Sequence, residues 1–73
     1  MAQLPVVSGQ ETVKAFKKAG WQIQRQSGSH IILTKDGEVA SLSVPNHKAV
    51  ARGTLRSLIR AANLTIEEFT KLI

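Results

Sequence analysis

The sequence predicts an α+β fold, in which a three-stranded antiparallel sheet carries helices on one face in the order helix, three strands, helix, short helix. Three observations point to it. Apolar residues recur at helical spacing over 9–19 and 53–62, and at a period of two between those segments. Asp36-Gly37, a strong short hairpin signal, joins two of the alternating runs. Two capping boxes, Ser8-Gly9-Gln10-Glu11 and Thr65-Ile66-Glu67-Glu68, mark helix starts. A chain of 73 residues has room for one core, so residues 1–73 are read as a single domain.

The first helix is expected over 9–19, with Gly20 supplying the left-handed residue that ends it. Val13, Ala15, Phe16 and Ala19 share its inner side, and Lys14, Lys17 and Lys18 fall opposite, as an RNA-facing patch or an ordinary solvated face. From Trp21 the period becomes two, with Trp21 and Ile23 alternating with Gln22 and Gln24, which predicts a strand buried on one side. Ser27-Gly28-Ser29 turns the chain into a second strand, His30 to Thr34, rich in branched residues. A third strand is expected over 39–44, stopping at Pro45. A loop then leads to a second helix opening at Gly53 or Thr54, with Leu55, Leu58, Ile59 and Ala62 inward and Asn63 as its terminating residue. Ile66, Phe69 and Leu72 are the expected anchors of the last helix.

A two-residue turn at Asp36-Gly37 would set Leu33 opposite Ala40, Ile31 opposite Leu42 and Ser29 opposite Val44 on the core side. Ile32 would lie beside Ser41 and His30 beside Ser43 on the other side. His30 then points away from the helices, and His47, just past the third strand, comes to the same end of the sheet as Gly28 and His30. Ile32 and Val39 would be exposed together as a protein-docking surface.

Composition narrows the chemistry. The formal charge is +5, from ten Lys and Arg against five Asp and Glu, a balance that attracts phosphates. There is no cysteine, which removes disulfides and thiolate chemistry, and two histidines leave a transition-metal site short of ligands, so no metal or other cofactor is expected. No apolar run is long enough to span a bilayer and residues 1–8 lack a leader-like pattern, so the expectation is a cytoplasmic chain without a membrane partner. Aromatic residues at 4% argue against base stacking on the sheet.

Gly28-Ser29-His30 is the tripeptide richest in chemistry. A glycine turn lets peptide amides approach a phosphate, and an adjacent imidazole titrates near neutrality. RNA carries its own nucleophile in the 2′-hydroxyl, so proton transfer and charge stabilisation suffice to break it. His30 is therefore the candidate catalytic residue and Gly28 and Ser29 the candidate phosphate-binding residues; a histidine after a turn also reads as a plain surface residue. His47 is a candidate second acid or base, or a residue that only holds its loop. Lys48, Arg52, Arg56 and Arg60 form a stretch with no acidic residue between Lys48 and Ile66, suited to an RNA backbone or simply to solubility.

Gly28-Ser29-His30 opening the second strand, Val44-Pro45-Asn46-His47 closing the third and Gly53-Thr54-Leu55-Arg56 opening the helix together resemble the HicA (YcfA-like) toxin family, and the match runs from Ser8 to Phe69. The resemblance implies a fold like the double-stranded-RNA-binding domain and a metal-independent endoribonuclease that cleaves mRNA, the toxin of a bacterial toxin–antitoxin pair. It implies Gly28 and His30 as the functional pair, and a cognate HicB-type antitoxin as the protein partner. A non-catalytic RNA-binding module and a protein-interaction domain are the alternative readings of the same residues.

Overall fold

Ser8 begins the first helix by the reciprocal bonding that its spacing to Glu11 allows. In the computed structural model, which describes residues 4–73, the Glu11 amide donates to the Ser8 hydroxyl at 3.0 Å and the Ser8 amide donates to the Glu11 carboxylate at 2.9 Å. Residues 1–3, part of the stretch read above for a leader, lie outside the described residues. The Ser8 amide, then the Ser8 hydroxyl and, more weakly, Lys14 hold the Glu11 carboxyl below its ordinary range against a small opposing desolvation. A lowered folded-state value means that this contribution to stability is present above the usual carboxylate range and fades as acid protonates Glu11.

Helix α1 (Gly9–Lys18) buries Val13, Ala15 and Phe16 and leaves Lys14 and Lys17 exposed. Lys18 is exposed too, but its ammonium donates to the Leu72 carbonyl at 3.1 Å near the far end of the chain. The end of α1 is a Schellman motif: Gly20 takes φ +101°, its amide donates to the Lys17 carbonyl, and the Trp21 amide donates to the Phe16 carbonyl. This geometry tucks Trp21 into the core at 1% exposure; its indole Nε1 has no hydrogen-bond partner among the described residues.

The sheet is an antiparallel meander, β1 (Gln22–Ser27), β2 (His30–Thr34) and β3 (Leu42–Pro45), in the order β1-β2-β3. Two details differ from the sequence expectation. First, β1 buries neither side: all six residues are exposed, and Ile23 is 50% exposed. Ile23 pairs with Leu33 and so shares its core-facing side, but it sits on an edge strand outboard of the helices. The ladder then shifts between Ile23 and Arg25, with Gln24 as the extra residue of a bulge.

Second, β3 starts at Leu42 rather than 39, and its register is two residues from the expected one: Leu33 faces Leu42, Ile31 faces Val44, Ile32 faces Ser43 and His30 faces Pro45. The cause is the turn. The Glu38 amide does donate back to the Lys35 carbonyl, but only Gly37 takes positive φ, at +86°, as in a type II turn; Asp36 does not. A type II turn splays the strands where the expected type I′ would keep them paired, so residues 38–41 form a loop. Because the slip is even, Ile31, Leu33, Leu42 and Val44 still share the buried side. Val39, however, is fully exposed in the loop and does not join Ile32 in a sheet-face patch.

Helix α2 (Arg52–Ala61) starts slightly earlier than expected, with Ala51 at its cap, and buries Leu55, Leu58 and Ile59. Asn63 ends it in the left-handed conformation, φ 60°, with its amide and that of Leu64 donating to the Arg60 and Ile59 carbonyls. Thr65 and Glu68 form the second capping box and open α3 (Ile66–Leu72). Phe69 of α3 is fully buried, its ring centroid 5.3 Å from that of Phe16. The helices lie on the side of Ile31, Leu33, Leu42 and Val44, and among the described residues the other sheet face is free of helices. That face carries the exposed His30 and Ser43 and the half-buried Ile32, with Pro45 buried at its end. No helix of the described residues is long and apolar enough to cross a membrane.

One glycine is required by a close approach. A Cβ on Gly9 would lie 2.3 Å from the Pro45 carbonyl oxygen and 2.8 Å from the Asn46 Cα. Alanine is the better helix former, yet Gly9→Ala should destabilise the fold by about 1–3 kcal/mol, the usual cost of forcing backbone apart. Thermal unfolding checks this: the expected midpoint is several degrees lower, and an unchanged or higher one would show that the contact yields freely.

Candidate functional site

The Ser27–His30 pairing leaves Gly28-Ser29 as a two-residue turn between β1 and β2. Gly28 takes φ +59° and Ser29 does not go positive, the pattern of a type II′ turn with glycine first. A Cβ at Gly28 would meet nothing within 4 Å. Glycine is thus favoured by backbone conformation, and the outer side of the turn is open to a ligand.

His30 is the first residue of β2 and is exposed, while Ile31 and Leu33 point into the core at 4% and 0% exposure. Strand alternation therefore sets His30 and Ile32 on the free face. Its cross-strand partner is Pro45, not Ser43, a consequence of the two-residue slip.

Beyond Pro45, the Asn46 amide donates to the Ser29 carbonyl at 2.7 Å, and the Gly9 amide donates to the His47 carbonyl at 2.8 Å. The Asn46-His47 segment is thereby clamped between the glycine turn and the start of α1. Gln10 adds a side-chain bond to Asn46, its amide donating to Oδ1 at 3.0 Å. The sequence expectation that His47 reaches the same end of the sheet as Gly28 and His30 holds for the backbone. His47 holds its loop through its carbonyl, and its side chain is exposed.

The basic stretch divides. Lys48 is exposed in the loop after His47, which is anchored at its far end by the Val50 amide donating to the Val7 carbonyl. Arg52 is the first residue of α2, at a helix start with no side-chain cap and no acidic residue in its first turn. Arg56 and Arg60 lie farther along, one and two turns on, roughly 6 and 12 Å up the helix axis. They line an open groove of about 370 Å³ with Ile59, Leu64, Thr65 and Ile66, between α2 and the start of α3. Since α2 packs on the covered side of the sheet, that groove does not share the face of His30.

One residue of the His30 face is absent from the sequence expectations. Arg25 pairs with Ile32 and so lies on the free face. Regular alternation from Trp21 and Ile23 would instead have put it with them on the core side. An arginine at an inward position was itself a sign that the strand does not alternate regularly. No Asp or Glu occurs on any of the three strands, and Arg25 and His30 are their only basic residues. Among the described residues no group of three or more His, Cys, Asp or Glu is gathered in a way that could hold a metal ion. The assembled groups are an open glycine turn, an imidazole and a guanidinium, on strands without carboxylates. Such a set can receive a phosphodiester and move a proton at it.

With this geometry in hand, comparison with known proteins gives one family. The model for the HicA toxin of bacterial toxin–antitoxin matches residues 9–64, a span that includes Gly28, Ser29, His30, His47 and all four cations of the basic stretch and stops short of α3. No curated protein matches the chain.

Proposed function

Because this chain belongs to the HicA toxin family, we propose that it is an endoribonuclease that cleaves mRNA, the toxic member of a toxin–antitoxin pair acting in the cytoplasm. The observation that carries the reading is the position of His30: exposed on the free sheet face, next to the open Gly28-Ser29 turn, with no carboxylate on the sheet.

In this reading the 2′-hydroxyl of the RNA attacks the adjacent phosphorus. Its proton passes to a base, the P–O5′ bond breaks, and the departing 5′-oxygen receives a proton. The products are a 2′,3′-cyclic phosphate and a 5′-hydroxyl, and the proton count balances. His30 serves as general acid/base. The Gly28-Ser29 turn offers amides to the phosphate oxygens, where charge builds up in the transition state. His47, on the loop tied to the same turn, is the candidate for the complementary proton transfer. Lys48 and Arg52, next along the chain, would hold the flanking backbone, and Arg56 and Arg60 would extend the track. No step calls for a metal, which fits the donor inventory of two histidines and no cysteine. A HicB-type antitoxin is the proposed protein partner, covering the His30 face.

The test is incubation of the purified protein with single-stranded RNA in EDTA. Cyclic-phosphate ends support the reading. Salt-sensitive binding without products would make the chain an RNA-binding module. Indifference to RNA beside a tight protein complex would make it an interaction domain.

A further inference from the structure

The bulge in β1 decides which way one cation faces. Up to Ile23 the strand is in step with β2: Ile23 pairs with Leu33, on the covered side. Unbroken pairing would next set Gln24 opposite Ile32 and Arg25 opposite Ile31, whose side chain is buried under the helices. The extra residue at Gln24 changes this, so Arg25 pairs with Ile32 and Ser27 pairs with His30. Re-aiming a side chain beside a functional site is a recognised use of β-bulges.

On the free face, Arg25 is the diagonal cross-strand neighbour of His30, a separation of roughly 7–8 Å that a long side chain can span. Arg25 is exposed. No carboxylate lies on the strands to pair with it, and its guanidinium is a planar fork of donors that matches the oxygens of a phosphate.

We propose that Arg25 binds a phosphate of the RNA at the His30 site, turned toward it by the bulge at Gln24. This rests on the ribonuclease reading and adds to it a backbone contact from the sheet itself, separate from the basic stretch of α2.

The test compares the parent, Arg25→Gln, Arg25→Lys, His30→Ala and, as a charge control at the exposed Lys71 of α3, Lys71→Gln. Each is measured for single-turnover cleavage of a single-stranded RNA and for the dependence of RNA affinity on salt. Arg25→Gln should slow cleavage by about 10- to 100-fold, the range for losing a hydrogen bond to a charged group. It should also reduce the log–log salt slope by about 0.7, the value for one lost phosphate contact on a single strand. Arg25→Lys should restore the slope and only part of the rate, because it keeps the charge without the fork. His30→Ala should lose cleavage and keep the slope.

Parent-like rate and slope in Arg25→Gln would overturn the proposal. So would an equal loss in Lys71→Gln, which would reduce the effect to bulk charge, or a slower rate with an unchanged slope and a lower melting point, which would make Arg25 structural. If the parent does not cleave, the ribonuclease reading falls. The slope comparison then still decides the contact: a reduced slope in Arg25→Gln supports it and an unchanged one rejects it.

Discussion

Replacing His30 by alanine should lower RNA cleavage by about 10²- to 10⁴-fold, the usual worth of a general acid–base group, and leave the fold and most RNA affinity in place. The second half of the expectation makes the first interpretable. His30 is exposed and is not among the apolar core residues, and its pairing with Ser27 and Pro45 runs through the backbone, so truncation should leave the core and the ladder in place. Affinity should persist because backbone binding is distributed over several cations, whereas proton transfer is not. Single-turnover cleavage of an end-labelled RNA in EDTA gives the rate, and a melting curve run beside it verifies folding. A variant that cleaves within threefold of the parent would remove His30 from the mechanism.

The largest loss of stability should come from Phe69→Ala, at the other end of the chain. Phe69 is fully buried against Phe16, and helix α3 has seven residues, too few to persist without packing. Deleting a core phenylalanine costs about 3–5 kcal/mol. A chain of this length has a total stability of about 4–11 kcal/mol at the usual 0.05–0.15 per residue, so much of it would go. The melting midpoint should fall by about 10 °C or more. A shift under about 4 °C would make α3 an accessory. The outcome bears on the site as well, because α3 lies beyond the matched span of residues 9–64 yet packs against α1, whose first turn holds the His47 loop.

What could be read from the sequence follows the range of the interactions involved. Helix starts at Ser8 and Thr65, and the left-handed stops at Gly20 and Asn63, depend on a few consecutive residues and stand as expected. The Asp36-Gly37 dipeptide locates the turn but not its type, since glycine at the second position suits type II as well as type I′. Splayed strands then moved the pairing of β3. Ile31, Leu33, Leu42 and Val44 keep their expected core side because a slip of two exchanges partners without exchanging faces, whereas Ala40, left in the loop, and Ser29, in the glycine turn, are exposed instead of facing the core. His30 keeps its expected place on the free face for the same reason, although its neighbour is Pro45. Ile23 keeps its expected side but is half exposed because its strand lies at the sheet edge, and the face of Arg25 is not legible because a bulge is set by the whole ladder. The exposed cations of α2 were legible, but their division between the α2 start and the groove beside α3 depends on how two helices pack.

The bulge at Gln24 makes this sheet sensitive to counting. Between Trp21, fixed in the core, and Gly28, fixed in its turn, six residues are threaded along β1. Inserting or deleting a single residue there changes parity, and every side chain on one side of the change swaps faces. A change of two leaves both faces as they were. For chains aligned to this one, a one-residue gap before the glycine turn should therefore be weighed as an altered surface chemistry, with a cation gained or lost beside the histidine, even where every flanking residue is identical.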